Sequence, residues 1–420
     1  MPAADATVGA QARAEAKHGF STFRSLRHRN YRLLWIGTLF SSSGQWIQQV
    51  TLGWLAYDMT GSGAILGAVN GLRSLPLLFL GPFGGVAADR FDKKQLMFTT
   101  QVFLMLTAAL FATVIVTGHL QVWHIFVFSA ATGVAWAFNM PVRQSIVPNV
   151  VPREDMMNAM ALNSAGFNVT RIIGPTLAGL MIAKLGPSEN FYLQALAYLG
   201  VAAMVVQLRL PDIPKSGKGN VLQSLAEGSK YVWKHPTLRT QMTLALVPVV
   251  IALPYVSLLP ILAKDTLGKG AGGYGIMMSA PGIGAVTATL IIASLKGVKR
   301  QGLLLLAAIF ALGLVLILVA LSRSFWLSCG LLVLVGACQM AYMTTNQTVL
   351  QLSTPDEYRG RVMGIYMLNQ GLLPLGSLFG GVMSDVFSAP IALATMGGMV
   401  SLLALFFFLR ARNIRELSLT

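Results

Sequence analysis

Apolar stretches of roughly 20 residues recur along almost the whole chain, each long enough to cross a bilayer core of ~30 Å as a helix. Gly and Pro punctuation and polar gaps divide them into helices expected at 31–57, 63–88, 95–117, 122–146, 156–184 and 190–210. Six more are expected at 238–263, 273–296, 301–321, 325–351, 360–385 and 389–410. Between the two sets, residues 211–237 break the pattern. They open with Pro211 and Pro214 and then set Val221, Leu222, Leu225, Ala226, Tyr231 and Val232 at helical spacing, so a linker with an amphipathic surface helix is expected.

The second set repeats the first. Residues 143–155 align with 346–358 at an offset of 203, matching Gln144 to Gln347, Pro152 to Pro355 and Glu154 to Glu357. GSGA at 61–64 aligns with GKGA at 268–271, and KKQ at 93–95 with KRQ at 299–301, at offsets of 207 and 206. An even number of crossings separates equivalent positions, so the repeats share one topology. The expected fold is an all-α membrane protein of 12 transmembrane helices, in two six-helix bundles related by a pseudo-two-fold along the membrane normal. The expected organisation is a tail at 1–30, an N-terminal bundle at 31–210, the linker at 211–237, a C-terminal bundle at 238–411 and a tail at 412–420.

Charge sets the orientation. Of 31 Lys and Arg, four fall at one face, Lys184, Lys264, Lys269 and Arg323, and two fall inside the membrane, Arg73 and Arg171. The remaining 25 lie in the tails and alternate gaps, Arg143 and Arg153 among them, so both termini are expected in the cytoplasm of an inner-membrane, multi-pass protein. The 55% hydrophobic and 11% charged residues exclude a soluble enzyme, and the net charge of +16 is too dispersed for a nucleic-acid interface. Residues 1–22 are polar and the apolar run after Arg32 is too long for a signal-peptide core, so no cleavable signal is expected. Cys329 and Cys338, nine residues apart in one helix, stand about 13 Å apart on opposite faces and predict neither a disulfide nor a metal cluster.

Polar residues at membrane depth are the candidate chemistry. A central charge costs about 2.5–3.5 kcal/mol on insertion scales, so Arg73 and Arg171 are expected to face the bundle interior or water. Ser164, Asn168 and Arg171 follow i, i+4, i+7 and make a polar stripe. Gln45, Gln48 and Gln49, then Gln339, Tyr342 and Asn346, then Asn369 and Gln370, complete the expected cavity lining. Helix-to-helix hydrogen bonding is the competing role for each polar residue, and Arg73 has Asp58 as an alternative partner. No carboxylate falls near the midplane; Asp58, Asp385 and His124 lie toward the outer face, and Asp58 is the candidate for proton coupling. The cavity therefore carries positive potential and favours anionic or electron-rich solutes.

The run Gly85-Val-Ala-Ala-Asp89-Arg90-Phe-Asp92-Lys93-Lys94 resembles the signature between helices 2 and 3 of the major facilitator superfamily, with Asp92 where that pattern has Gly. With PVRQSIVPNVVPRED, RIIGP and TPDEYRGRVMG, the chain resembles the branch holding the enterobactin exporter and macrolide efflux proteins over roughly residues 20–410. The resemblance implies a cytoplasmic gate of Gly85, Asp89, Arg90, Lys94, Glu357 and Arg361, in which Asp89 meets the start of the helix near 360. Thr354-Pro355-Asp356-Glu357 is expected to cap that helix. Gly174, Pro175 and Gly179 resemble part of an antiporter motif that has Gly where this chain has Thr170. Methionines 340, 343, 363 and 367 offer an adaptable apolar wall.

The function expected is a monomeric secondary transporter exporting a small amphipathic molecule by alternating access, coupled to protons and using no cofactor. Anionic or catechol-type siderophores rank first as substrate, before macrolide-like or other drugs, lysolipids and import of a solute. The chain carries no phosphate-binding loop and no cluster of catalytic residues at membrane depth, and a non-transporting receptor or scaffold on the same fold is the alternative of another class.

Overall fold

The structure is a computed structural model; it describes residues 22–210, 221–294, 300–411 and 415, with the side chains of residues 89, 221–225, 293 and 370 outside that description. Six helices build the first half: α1 (Arg29–Thr60), α2 (Gly63–Arg90), α3 (Lys93–Val116), α4 (Val122–Val150), α5 (Met156–Lys184) and α6 (Pro187–Gln207). The linker holds α7 (Val221–Lys234). The second half holds α8 (Pro236–Thr266), α9 (Ala271–Ser294), α10 (Gln301–Leu321), α11 (Phe325–Leu352), α12 (Asp356–Val386) and α13 (Ala389–Arg410).

Local chemistry fixes the ends. Gly61 takes φ of 62° to turn the chain out of α1, a conformation that costs a residue with a Cβ. Ser62 then caps α2 by accepting from the Ile65 N–H at 3.3 Å, and Asp92 caps α3 by accepting from Gln95 N–H at 2.7 Å. The cap expected from Thr354 does not form. Its hydroxyl donates back to the Leu350 carbonyl at 2.6 Å, and Pro355 takes the N-cap position of α12.

Two helices are irregular where the fold needs bending. Proline at 248, 254 and 260 removes backbone donors from α8, which passes through π-helical turns at Pro248–Ala252 and Leu262–Thr266. In α12 a 3-10 segment, Asn369–Leu372, separates two α-helical pieces.

Among the described residues, ten helices are long and apolar enough to span a bilayer. The two long helices left out are α1 and α5, because they carry the glutamines, Asn168 and Arg171. Leu106, Leu110, Leu196 and Leu402 stand exposed on the flanks, a surface that suits lipid rather than water.

In the first half α1 packs on α5 and α6, and α3 on α4 and α6; in the second, α10 packs on α11 and α13. The halves meet along α2 with α12 and α5 with α9. The end carrying the α2–α3 turn and the linker is the inner end here, and the opposite one the outer end. At the outer end a single apolar core runs through both halves, joining Ile47, Leu55 and Phe191 to Tyr255, Leu262 and Met277. At the inner end the cores are separate: Tyr31, Val142, Ile146 and Val205 in the first half, Val232, Leu350, Val362 and Tyr366 in the second. The molecule is closed outside and parted inside.

Candidate functional site

Where the separated halves converge on the shared core, α1, α2, α5, α8, α9, α11 and α12 enclose a cavity of about 420 Å³. Gln45, Gln49, Arg73, Arg171 and Gln339 all line it, brought together from four helices and both halves. Among the described residues its lining includes no carboxylate. Small residues make the approach possible: a Cβ on Gly174 would stand 2.9 Å from Trp46 Cβ, and one on Gly282 would stand 3.4 Å from Arg171 Cγ. Glycine therefore lets α5 lie against α1 and lets the stem of Arg171 pass along α9.

Several lining residues carried no earlier assignment. Trp46 and Phe167 set their rings 5.9 Å apart beside the arginines, and Tyr255 and Met278 extend an apolar wall that also holds Met343, one of the four methionines expected there. On the outer side of the cavity, Asn70 Nδ2 donates to Ser257 Oγ at 3.1 Å, and that hydroxyl donates to Ser377 Oγ at 3.2 Å. This polar chain ties α2 to α8 and α12. Its sequence signal was the Asn70, Arg73, Ser74 spacing on α2, one face of a helix at i, i+3, i+4.

Other expected lining residues are placed elsewhere. Gln48 is buried inside the first half, where its amide donates to Thr132 Oγ1 at 3.0 Å and its carbonyl accepts from Gln194 at 2.6 Å. Tyr342 is buried and donates to the Ala245 carbonyl at 2.7 Å, binding α11 to α8. Asn346 is buried one turn further along α11. Asn168 donates to the Ser164 carbonyl at 2.9 Å, and Asn369 sits in the 3-10 segment of α12. The side chain of Gln370 lies outside the described residues.

The expected gate residues are not gathered in this conformation. Lys94 donates to the carbonyls of Val206 and Leu208 at 2.7 and 2.8 Å, a cation at the C-terminal end of α6. Arg361 pairs with Glu227 of the linker helix at 3.2 Å, next to Tyr231 stacked on Tyr358. Arg90 and Glu357 are exposed, and a Cβ on Gly85 would meet open space. The Asp89 side chain lies outside the described residues. Arg143, counted among the gap bases, lies within α4, with Nε and Nη2 buried and, among the described residues, lacking a hydrogen-bond partner.

At the outer end polar contacts cross between the halves. Asp58 pairs with Lys264 at 2.5 Å, which leaves Arg73 without that partner, and Tyr57 donates to Asp265. Asp385 accepts from Ser62, Gly63 and Ala64 at the start of α2.

Two helical halves joined along paired helices, with a central cavity lined from both, define a transporter of the major facilitator type. The chain belongs to the transmembrane secretion effector family, whose description matches residues 20–419. It is 27% identical over 386 residues to the staphyloferrin A transporter of Staphylococcus aureus, covering 90% of this chain and 96% of that protein. It is 25% identical to the multidrug efflux pump Tap of Mycolicibacterium fortuitum, over 84% of this chain and 88% of the other. Macrolide efflux protein A of Streptococcus pyogenes is 21% identical, over 86% and 91%. Among solved structures, a POT family transporter in complex with a thioalcohol-conjugated peptide superposes with a TM-score of 0.75 at 10% identity, over 92% of this chain and 96% of that one. The nucleoside transporter NupG superposes with a TM-score of 0.71 at 14% identity, over 91% and 99%. The protein is thus a multi-pass membrane transporter of the efflux branch, acting on small molecules, and not an enzyme.

Proposed function

We propose that this transporter exports a small anionic or electron-rich amphipathic molecule, of the siderophore or related metabolite class, by alternating access. The observation that carries the reading is that Arg73 and Arg171 line one cavity whose lining, among the described residues, holds no carboxylate. Two guanidiniums in a site of low dielectric attract carboxylates or catecholates and repel cations, and an arginine fork binds a carboxylate in bidentate fashion. Trp46, Phe167 and Tyr255 give the apolar part of such a molecule a surface beside those charges. In this reading the basic inner end and both termini face the cytoplasm of an inner membrane, the transporter works as a monomer, and a proton gradient supplies the energy. Asp58 is the proposed proton carrier, since protonation would release Lys264 at the outer mouth.

Drug efflux is the second reading, favoured by the Trp46, Met278 and Met343 wall and by the names of two relatives. Thermal unfolding of the purified protein with a panel of anionic siderophores and of cationic or macrolide drugs separates the two. Anions are expected to raise the melting temperature of the wild type and to leave Arg171→Ala, still folded, unmoved. Equal stabilisation of both forms by drugs, with no response to anions, would replace anion export by drug efflux.

A further inference from the structure

We infer that Asp385 is the latch of the outer gate, closing it by capping the first turn of α2 from the opposite half of the molecule. Its carboxylate accepts from the Gly63 N–H at 2.5 Å, the Ala64 N–H at 3.0 Å and the Ser62 hydroxyl at 2.6 Å. The first N–H groups of a helix have no partner within it, and they form the positive end of its dipole. An ionised carboxylate is their strongest partner. Position 63 has to be glycine for this approach, because a Cβ there would run into Ser384 and the Gly381 carbonyl.

The other charged and titratable groups at this mouth bind less of the opposite half. Asp58 and Lys264 are 50% and 40% exposed, and an ion pair so hydrated holds weakly. Tyr57 makes one hydrogen bond, to Asp265, and Arg323 lines the same outer pocket as Asp265 and Asp385. Asp385 alone among them engages main-chain donors across the boundary.

From the latch a seam runs inward. Gly63, Gly67 and Gly71 of α2, four residues apart, face Gly381, Ser377 and Pro374 of α12. That register spans about 12 Å and ends at the Asn70, Ser257 and Ser377 chain bordering the cavity. Release of Asp385 therefore frees the helix pair along its length down to the binding cavity.

The placement also pairs two acids. Asp385 is the penultimate residue of α12 and caps the start of α2; Asp89 is the penultimate residue of α2, the helix whose partner starts at Asp356. One helix pair thus carries an acid near each of its opposite ends.

The inference rests on the alternating-access reading and is independent of the anionic substrate. Its test replaces Cys329 and Cys338 by Ser and places one reporter, Ser74→Cys, in the cavity. A membrane-impermeant maleimide is applied outside intact cells and, separately, to inside-out vesicles. The parent is expected to label from the inside. Asp385→Asn, which keeps shape but loses charge, is expected to raise outside labelling about tenfold or more, the least that the loss of one charged hydrogen bond implies, and to slow export. Asp385→Glu is expected to keep the outside labelling of the parent. Should Asp385→Asn not fold, Gly63→Ala, which forces the seam apart with Asp385 intact, is expected to give the same rise. Unchanged one-sided labelling in the folded variants overturns the latch alone. Equal labelling of the parent from both sides overturns alternating access and the latch with it.

Discussion

The outer and inner ends of this molecule are made of the same twelve long helices and behave as different materials. Outside, one apolar core crosses the halves, glycines let α2 and α12 touch, and acids bridge the boundary. Inside, each half keeps its own core, and Arg361 turns to the linker helix within the second half's side of the gap. The lesson is that polarity does not separate the two ends, since both are charged; contact between small residues does. A seam of glycines can close and reopen with little side-chain rearrangement, whereas two leucine-filled faces would lock.

Gly67→Val attacks that difference most directly. A Cβ at 67 would stand 2.8 Å from the Ser377 carbonyl carbon, so overpacking should cost about 1–3 kcal/mol of thermal stability or drive the outer end open. Gly85→Ala, in open space at the inner end, should leave the melting temperature unchanged or raise it by the helix-propensity gain of up to about 1 kcal/mol. Equal losses for the two would mean that the outer seam is no tighter than the inner end.

Arg143→Met probes the interior of the first half. Two guanidinium nitrogens are buried there and, among the described residues, have no hydrogen-bond partner. Removing an uncompensated charge while keeping the volume should stabilise the protein by about 1 kcal/mol or more in detergent melts. A large loss instead would show that Arg143 has a partner in the closed-inside conformation. The smallest effect is expected for Arg361→Ala, whose ion pair with Glu227 is 33% and 42% exposed. Its stability cost should stay below about 1 kcal/mol, while linker mobility, read by proteolysis at residues 211–237, should rise.

The helices were legible because a bilayer enforces length and apolarity on every crossing, so α3, α9 and α10 could be placed from hydropathy alone. Polar positions at depth were legible too, which is how Gln45, Arg73, Arg171 and Gln339 were found before any geometry. What periodicity could not resolve was the rotation of each helix. Gln48 and Gln49 are neighbours in sequence, yet about 100° of helical turn sends one into the first half's interior and the other to the cavity. Tyr342 likewise turns to Ala245, and Asn70, three residues before Arg73, has no charge to mark it in the sequence.

By itself, the sequence determined the membrane environment, the repeated halves, the basic inner end and the positive character of the cavity, since each follows from residue type and spacing under the cost of burying charge in lipid. Tertiary structure alone decided which end is shut and which acid shuts it. Asp58 and Asp385 are equivalent as outer carboxylates in the sequence. Only the crossing of α2 and α12 at glycines brings Asp385 onto two free main-chain N–H groups, while Asp58 meets a solvated lysine. The difference is one of distance and hydration, and distance between residues 322 positions apart is set by packing.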